Sequence, residues 1–253
     1  MKRRWLVIAA LGAAATAQAA PSVDTVLCQR FDQRFGKKQA YLSIEHPAAA
    51  PKVEVFDRGK VTVCNADRSC TTFIANGWHA DDPAVTYVAN ADATLLLAGS
   101  NKGLEVEDAA TGKRKRKITS RRRGTNGGGA MYSCGGGLWL GEAILAFGSD
   151  CQEADALPYL ANGRTGKFIA PLVNRKLTAD DETLYDAARL GDRLWAVAMY
   201  NHNIGPEDLG AVFVIDVTSG RVLATASSTQ DGSANITEGK ATRSIAKLAT
   251  CAR

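Results

Sequence analysis

Histidine, helical periodicity and long apolar runs are scarce in this chain, and each absence removes a class of function. There are three histidines, and none stands at the spacing of a known metal motif. The segment Gly124-Thr125-Asn126-Gly127-Gly128-Gly129 lacks the Lys-Ser/Thr ending of a phosphate-binding loop, and no helix follows to present its amides. Ser133 lies outside any G-x-S-x-G elbow, and no Ser/His/Asp arrangement can be specified. Apolar residues almost nowhere repeat at the helical period; only Thr242 to Leu248 fits either a helix or a strand. After the first residues no apolar run is long enough to span a bilayer as a helix.

Those first residues read as a signal peptide over 1–19. Lys2, Arg3 and Arg4 form a positive region, Trp5 to Thr16 an apolar one, and Ala17-Gln18-Ala19 a cleavage site. The first cysteine, Cys28, stands too far along for lipid anchoring at that site. Residues 20–253 are then expected to form a single exported domain, periplasmic or secreted, with no membrane span. Of 31 basic and 26 acidic residues, three basic ones leave with the signal, so the mature net charge falls to +2. Eight positive residues are concentrated in Lys113 to Lys117 and Arg121 to Arg123, so the remainder of the mature chain sums to −6.

The chain does contain a repeat. Asp57-Arg58-Gly59-Lys60, Thr111-Gly112-Lys113, Thr165-Gly166-Lys167 and Ser219-Gly220-Arg221 place glycines at intervals of 53, 54 and 54 residues. Each lies between β-like runs, such as Val53 to Phe56, Leu104 to Val106 and Val212 to Ile215. Further strands are expected over Val85 to Val88, Thr94 to Ala98, Leu138 to Phe147, Leu184 to Ala187 and Arg193 to Met199. Three or four strands per repeat, with a hairpin at a fixed place, describe the blade of a β-propeller.

The stretch Val214-Ile215-Asp216-Val217-Thr218-Ser219-Gly220-Arg221-Val222 resembles the turn between third and fourth strands of quinoprotein-like, YVTN and WD40-like propeller blades. Asp108 to Lys113 and Asn162 to Lys167 match the same pattern, with Asp or Asn four residues before Gly. That side chain is expected to cap its own turn while Gly takes the positive-φ position. The first repeat departs, since Asp57 is only two residues before Gly59. The tryptophan-docking motif of true quinoproteins is absent, so the resemblance implies an all-β propeller and no activity. Four or five blades fit, five being preferred: repeats 22–74, 75–129, 130–177 and 178–225, and a composite blade in which 226–253 joins the N-terminal segment 22–35.

Six cysteines in an exported chain suggest three disulfides, although sequence alone leaves the connectivity open. Cys64 and Cys70 bracket a polar turn and are expected to pair across it. Cys134 and Cys151 fall within one repeat. Cys28 and Cys251 would then lock the two ends together.

In a propeller blade the hairpins between third and fourth strands lie on one face. The opposite face, which in such folds usually binds, would collect the segments 76–83, 120–129, 174–183, 149–156 and 201–210. The candidate binding residues are accordingly Trp78, His79, Asp81, Asp82, Arg121, Arg122, Arg123, Tyr200 and His202. No catalytic residue can be assigned, and no cofactor is expected. Asp180-Asp181-Glu182 could contribute oxygen ligands to Ca²⁺ but lacks an EF-hand pattern. Lys113 to Lys117 reads first as charge protecting an outer strand from pairing and second as attraction to an anionic cell-wall polymer or an envelope protein. Export argues against nucleic acid, and the run has no interleaved aromatics. The function expected is recognition of an envelope protein, for instance as an inhibitor or immunity protein plugging a cell-wall hydrolase. The alternative is a Ca²⁺-dependent hydrolase of the lactonase type with a central-channel site.

Overall fold

A computed structural model describes residues 23–32, 39–44, 52–56, 60–64, 69–74, 86–100, 103–118, 135–148, 158–172, 183–201, 211–228 and 233–251. Apart from one helical turn, α1 (Val23–Val26), the regular structure described there is β. Five sheets are formed. The first holds β1 (Leu27–Asp32) and β2 (Gln39–Ile44), and the second β3 (Lys52–Phe56), β4 (Lys60–Cys64) and β5 (Cys70–Ile74). The third is β6 (Thr86–Ala89), β7 (Leu95–Ser100), β8 (Gly103–Asp108) and β9 (Arg114–Lys117). The fourth is β10 (Gly135–Leu140), β11 (Ala143–Gly148), β12 (Tyr159–Asn162) and β13 (Phe168–Pro171). The fifth contains β14 (Thr183–Arg189), β15 (Leu194–Asn201), β16 (Ala211–Asp216) and β17 (Arg221–Ser228), extended by β18 (Ala234–Glu238) and β19 (Ala241–Ile245). A last strand, β20 (Ala249–Thr250), returns to pair in parallel with β1.

Within the second to fifth sheets each strand lies beside its chain neighbour in an antiparallel meander. The second, third, fourth, fifth and first sheets pack face on face in that order, with one hydrophobic cluster between each successive pair. Val61, Val63 and Phe73 meet Leu96 and Ala109 between the second and third sheets. Leu97, Leu104 and Val106 meet Ile144, Ala146 and Ala161 at the next joint. Leu140, Leu145 and Leu160 meet Val197, Phe213 and Ile215 at the one after. Leu27, Leu42 and Ile44 close against Ala196, Val212, Val214 and Ile236. Alternate residues of one strand serve opposite joints, Leu96 one and Leu97 the next. That is why the middle strands read as unbroken apolar runs rather than as polar–apolar alternation. Each fully buried Leu or Phe contributes about 1.5–3 kcal/mol. The all-β propeller architecture follows from this succession of meander sheets.

The repeated turn is built as its sequence requires. The side-chain oxygen Oδ1 of Asp108 accepts from the amides of Ala110 and Thr111, at 3.1 and 3.0 Å. Asn162 does the same for Arg164 and Thr165, and Asp216 for Thr218 and Ser219. The amides of Gly112, Gly166 and Gly220 donate back to the carbonyls of those three residues, and all three glycines have positive φ. The period has a tertiary cause as well. Each turn docks on the outer strand of the preceding sheet. A Cβ on Gly166 would stand 2.3 Å from the Lys117 carbonyl oxygen, one on Gly220 2.3 Å from the Ala170 Cβ, and one on Gly112 2.4 Å from the Phe73 ring.

Three expectations need correcting. Gly59 joins β3 to β4, whereas the outer strand that receives the Gly112 turn is β5. The connection equivalent to the Gly112, Gly166 and Gly220 turns is therefore 65–69, and there the Cys64–Cys70 disulfide closes the hairpin in place of an Asp/Asn–Gly turn. Second, the strand expected from Leu138 begins at Gly135; a Cβ at Gly137 would lie 2.5 Å from Leu97, so the missing side chain is what lets β10 approach the third sheet. Third, the C-terminal segment divides. Only β20 joins the N-terminal sheet, where Cys28–Cys251 links the two, while β18 and β19 extend the fifth sheet. Thr242 to Ile245 accordingly lies in a strand. Cys134 and Cys151 lie outside the described residues.

Candidate functional site

Strand direction sorts the connections into two groups. At one end of the sheets lie tight turns: 90–94 and 109–113 in the third sheet, 141–142 and 163–167 in the fourth, 190–193 and 217–220 in the fifth. The repeated docking of glycine turns on preceding sheets gives all of these sheets the same polarity. At the opposite end lie the short connections 57–59, 101–102 and 229–232 and the longer ones by which the chain leaves β5 for 75–85, β9 for 119–134, β11 for 149–157, β13 for 173–182 and β15 for 202–210.

Trp78, His79, Asp81, Asp82, Arg121, Arg122, Arg123 and His202 lie in those segments and outside the described residues, as does Asp180-Asp181-Glu182. Tyr200 lies on β15, opposite Leu184, close to where that strand ends. Among the described residues no three His, Cys, Asp or Glu side chains are grouped to hold a metal ion.

The basic run is fully described, and three of its five side chains, Arg114, Lys115 and Arg116, are engaged. It occupies the outer strand β9, as expected. Arg114 bridges the buried carboxylate of Glu105 at 3.2 Å, and Lys115 bridges Asp108 at 3.0 Å. Arg116 reaches across to the next sheet and donates to the carbonyls of Gly163, at 2.7 Å, and Arg164. The lysine and the hydroxyl of Thr111 hold the Asp108 carboxyl below its ordinary range. Glu105 and Asp108 come from β8, the strand beside β9, so part of the excess charge seen in the linear sequence is cancelled by pairing. Inside the same sheet Tyr87 is pushed up by burial and by the nearby Glu107 carboxylate, which keeps its phenol neutral.

A feature the sequence did not reveal is a crevice of about 250 Å³ between the second and third sheets. Val63, Ser69 and Thr71 form one wall, beside the Cys64–Cys70 bridge, and Ala93, Thr94, Asp108 and Ala110 the other. The Thr71 hydroxyl lies 3.5 Å from the Ala109 carbonyl. The hydroxyls of this crevice come from three different turns and strands, so no local pattern announces them.

No protein-family model matches the chain, and no curated protein matches it. Solved structures with a similar chain course include the computationally designed Ika8 protein, at 10% identity and TM-score 0.43, covering 84% of this chain and 70% of that one. BamB from Moraxella catarrhalis is similar at 13% identity and TM-score 0.37, over 81% and 73% of the two chains. The WD40 beta propeller domain of Doa1 is similar at 10% identity and TM-score 0.32, over 78% and 79%. At these values nothing about activity or partners passes to this chain. No helix among the described residues is long and apolar enough to cross a membrane. Among the described residues two disulfides are formed, Cys28–Cys251 and Cys64–Cys70, a kind of bond that forms and persists in oxidising environments.

Proposed function

We propose that this chain is an exported, non-catalytic propeller that recognises a protein of the cell envelope through the end from which its long connections leave. The observation that carries the reading is that the long connections of the third to fifth sheets all leave from one end, while the other end of those sheets carries only tight turns. A rigid scaffold with long segments gathered on one rim suits recognition. The contacts assigned to it are Trp78, His79, Asp81, Asp82, Arg121, Arg122, Arg123, Tyr200 and His202. An N-terminal signal over 1–19 would deliver the chain, and the two disulfides favour that destination. In its most concrete form the protein is an inhibitor or immunity protein whose protruding segment fills the active site of a cell-wall hydrolase.

Isolation of the mature protein from its native envelope under mild conditions, with mass spectrometry of what accompanies it, tests the proposal. A stoichiometric protein partner is expected, and it should be lost when 76–83 or 201–210 is replaced by a short glycine–serine linker. Recovery of the bare protein, or a partner indifferent to both replacements, would overturn the reading.

A further inference from the structure

The outer strands of the sheets differ in how they are closed to further pairing. β9 carries four consecutive basic residues, β13 ends in Pro171, and both pair with their neighbours through a register shift. Charge, proline and bulges are the usual defences of an exposed edge. β5 has no bulge, but the turn of the next sheet lies against it through Gly112 and Phe73.

β19 has no proline and no bulge, and its single charged residue, Arg243, is ion-paired with Asp24. Its sequence is Ala-Thr-Arg-Ser-Ile, its pairing with β18 runs without a register shift, and Ala241 to Ser244 are exposed. Nothing stands within 4 Å of the position a Cβ would take on Gly239 in its hairpin turn. Among the described residues no strand lies on its outer side.

Hairpin geometry fixes which groups point outward. Glu238 pairs with Ala241 across a two-residue loop, so these two exchange both backbone hydrogen bonds. Pairs two residues on do the same, which turns the amides and carbonyls of Ala241, Arg243 and Ile245 toward β18. Those of Thr242 and Ser244 face away from it. The edge thus offers two donors and two acceptors at the spacing of a β-ladder.

We propose that this edge is a strand-addition site for an extended, carboxylate-bearing segment of a partner protein. The charge beside it selects the occupant. Lys240 and Lys247 are exposed at its two ends, with Arg243 between them. Asp24 and Glu238 are the acidic groups facing Arg243, Asp24 through a two-pronged pair at 2.8 and 2.9 Å. A second copy pairing through Thr242 and Ser244 would set Arg243 opposite its own equivalent, and like charges directly opposite destabilise a ladder. An acidic strand meets no such conflict. The proposal is independent of the long-connection end, since β19 is an edge of the fifth sheet.

The test is amide hydrogen exchange by NMR on the mature disulfide-bonded protein, with capped hexapeptides of alternating valine and glutamate or of valine and lysine. The valine–glutamate peptide should slow the amides of Thr242 and Ser244 by about tenfold or more, as expected when an exposed amide enters a ladder, and leave Arg243 unchanged. N-methylation of alternate amides in that peptide should abolish the effect. A Ser244→Pro variant should stay folded, because proline is tolerated where an edge N–H faces solvent, and should lose the response. Unchanged exchange at both amides would overturn the site, and equal slowing by the lysine peptide would overturn the choice of partner. Slowing that grows with protein concentration alone, with dimers in sedimentation, would assign the edge to a second copy. Unfolding of Ser244→Pro would show the amide bonded inward and end the proposal.

Discussion

Replacing Gly166 by alanine is expected to destabilise the protein by about 3 kcal/mol, in two separable parts. Gly166 has φ +71°, a conformation that costs an L-residue about 1–2 kcal/mol. Its new Cβ would also stand 2.3 Å from the Lys117 carbonyl oxygen. That oxygen belongs to backbone, so relief requires the fourth sheet to move off the third, at a cost of about 1–3 kcal/mol for such overpacking. Gly239 supplies the control. It has φ +60° and nothing within 4 Å of its Cβ position, so Gly239→Ala bears the conformational cost alone, about 1 kcal/mol. Urea titration of the two variants beside the parent, with disulfides intact, gives both losses from shifts in midpoint at constant slope. A difference of about 2 kcal/mol is expected. Equal losses would refute the claim that the repeated turn is a joint between sheets, and would reduce the glycine period to local turn chemistry.

Two further outcomes follow from the same geometry. Removing the Cys28–Cys251 bridge, which closes a loop 223 residues long in sequence separation, should cost about 5 kcal/mol on the chain-entropy account, against about 2 kcal/mol for Cys64–Cys70 with its separation of 6; calorimetry of the paired Cys→Ser variants would reverse the argument if the short loop mattered more. The Asp108 carboxyl is depressed in the folded protein by Lys115 and Thr111, so its contribution is present above the unfolded carboxylate value, near pH ~4, and is lost as pH falls through the lower folded one. Asp108→Asn, which copies the residue at Asn162, should therefore show a shallower loss of melting temperature from pH ~5 to pH ~2, and an unchanged slope would refute the assignment.

What the chain decided locally was visible in its residues. An Asp or Asn four positions before Gly closes a turn through hydrogen bonds spanning only a few residues, so Asp108, Asn162 and Asp216 announce their turns without help from the rest of the molecule. The strands around them, the basic outer strand β9 and both described disulfides were legible for the same reason or from the logic of closure. Other features were set by groups far apart in sequence. Gly59 carries the turn residue but not the docking role, because a docking role depends on which strand lies outermost. Gly135 to Gly137 fall outside the strand expected from Leu138 until Leu97 and Leu104 arrive from another sheet to fill the space of the missing side chains. Lys113 to Lys117 looks like free charge until Glu105, Asp108 and the carbonyls of Gly163 and Arg164 come into reach. The candidate contacts were reached from strand order alone, since a connection's end of the sheet follows from direction and not from its own residues. The sequence by itself determined the turns, the strands and the propeller class, because those rest on short-range backbone chemistry. The tertiary structure decided which turns become joints, which charges are paired and which edge stays open among the described residues, because those depend on what packs from another sheet.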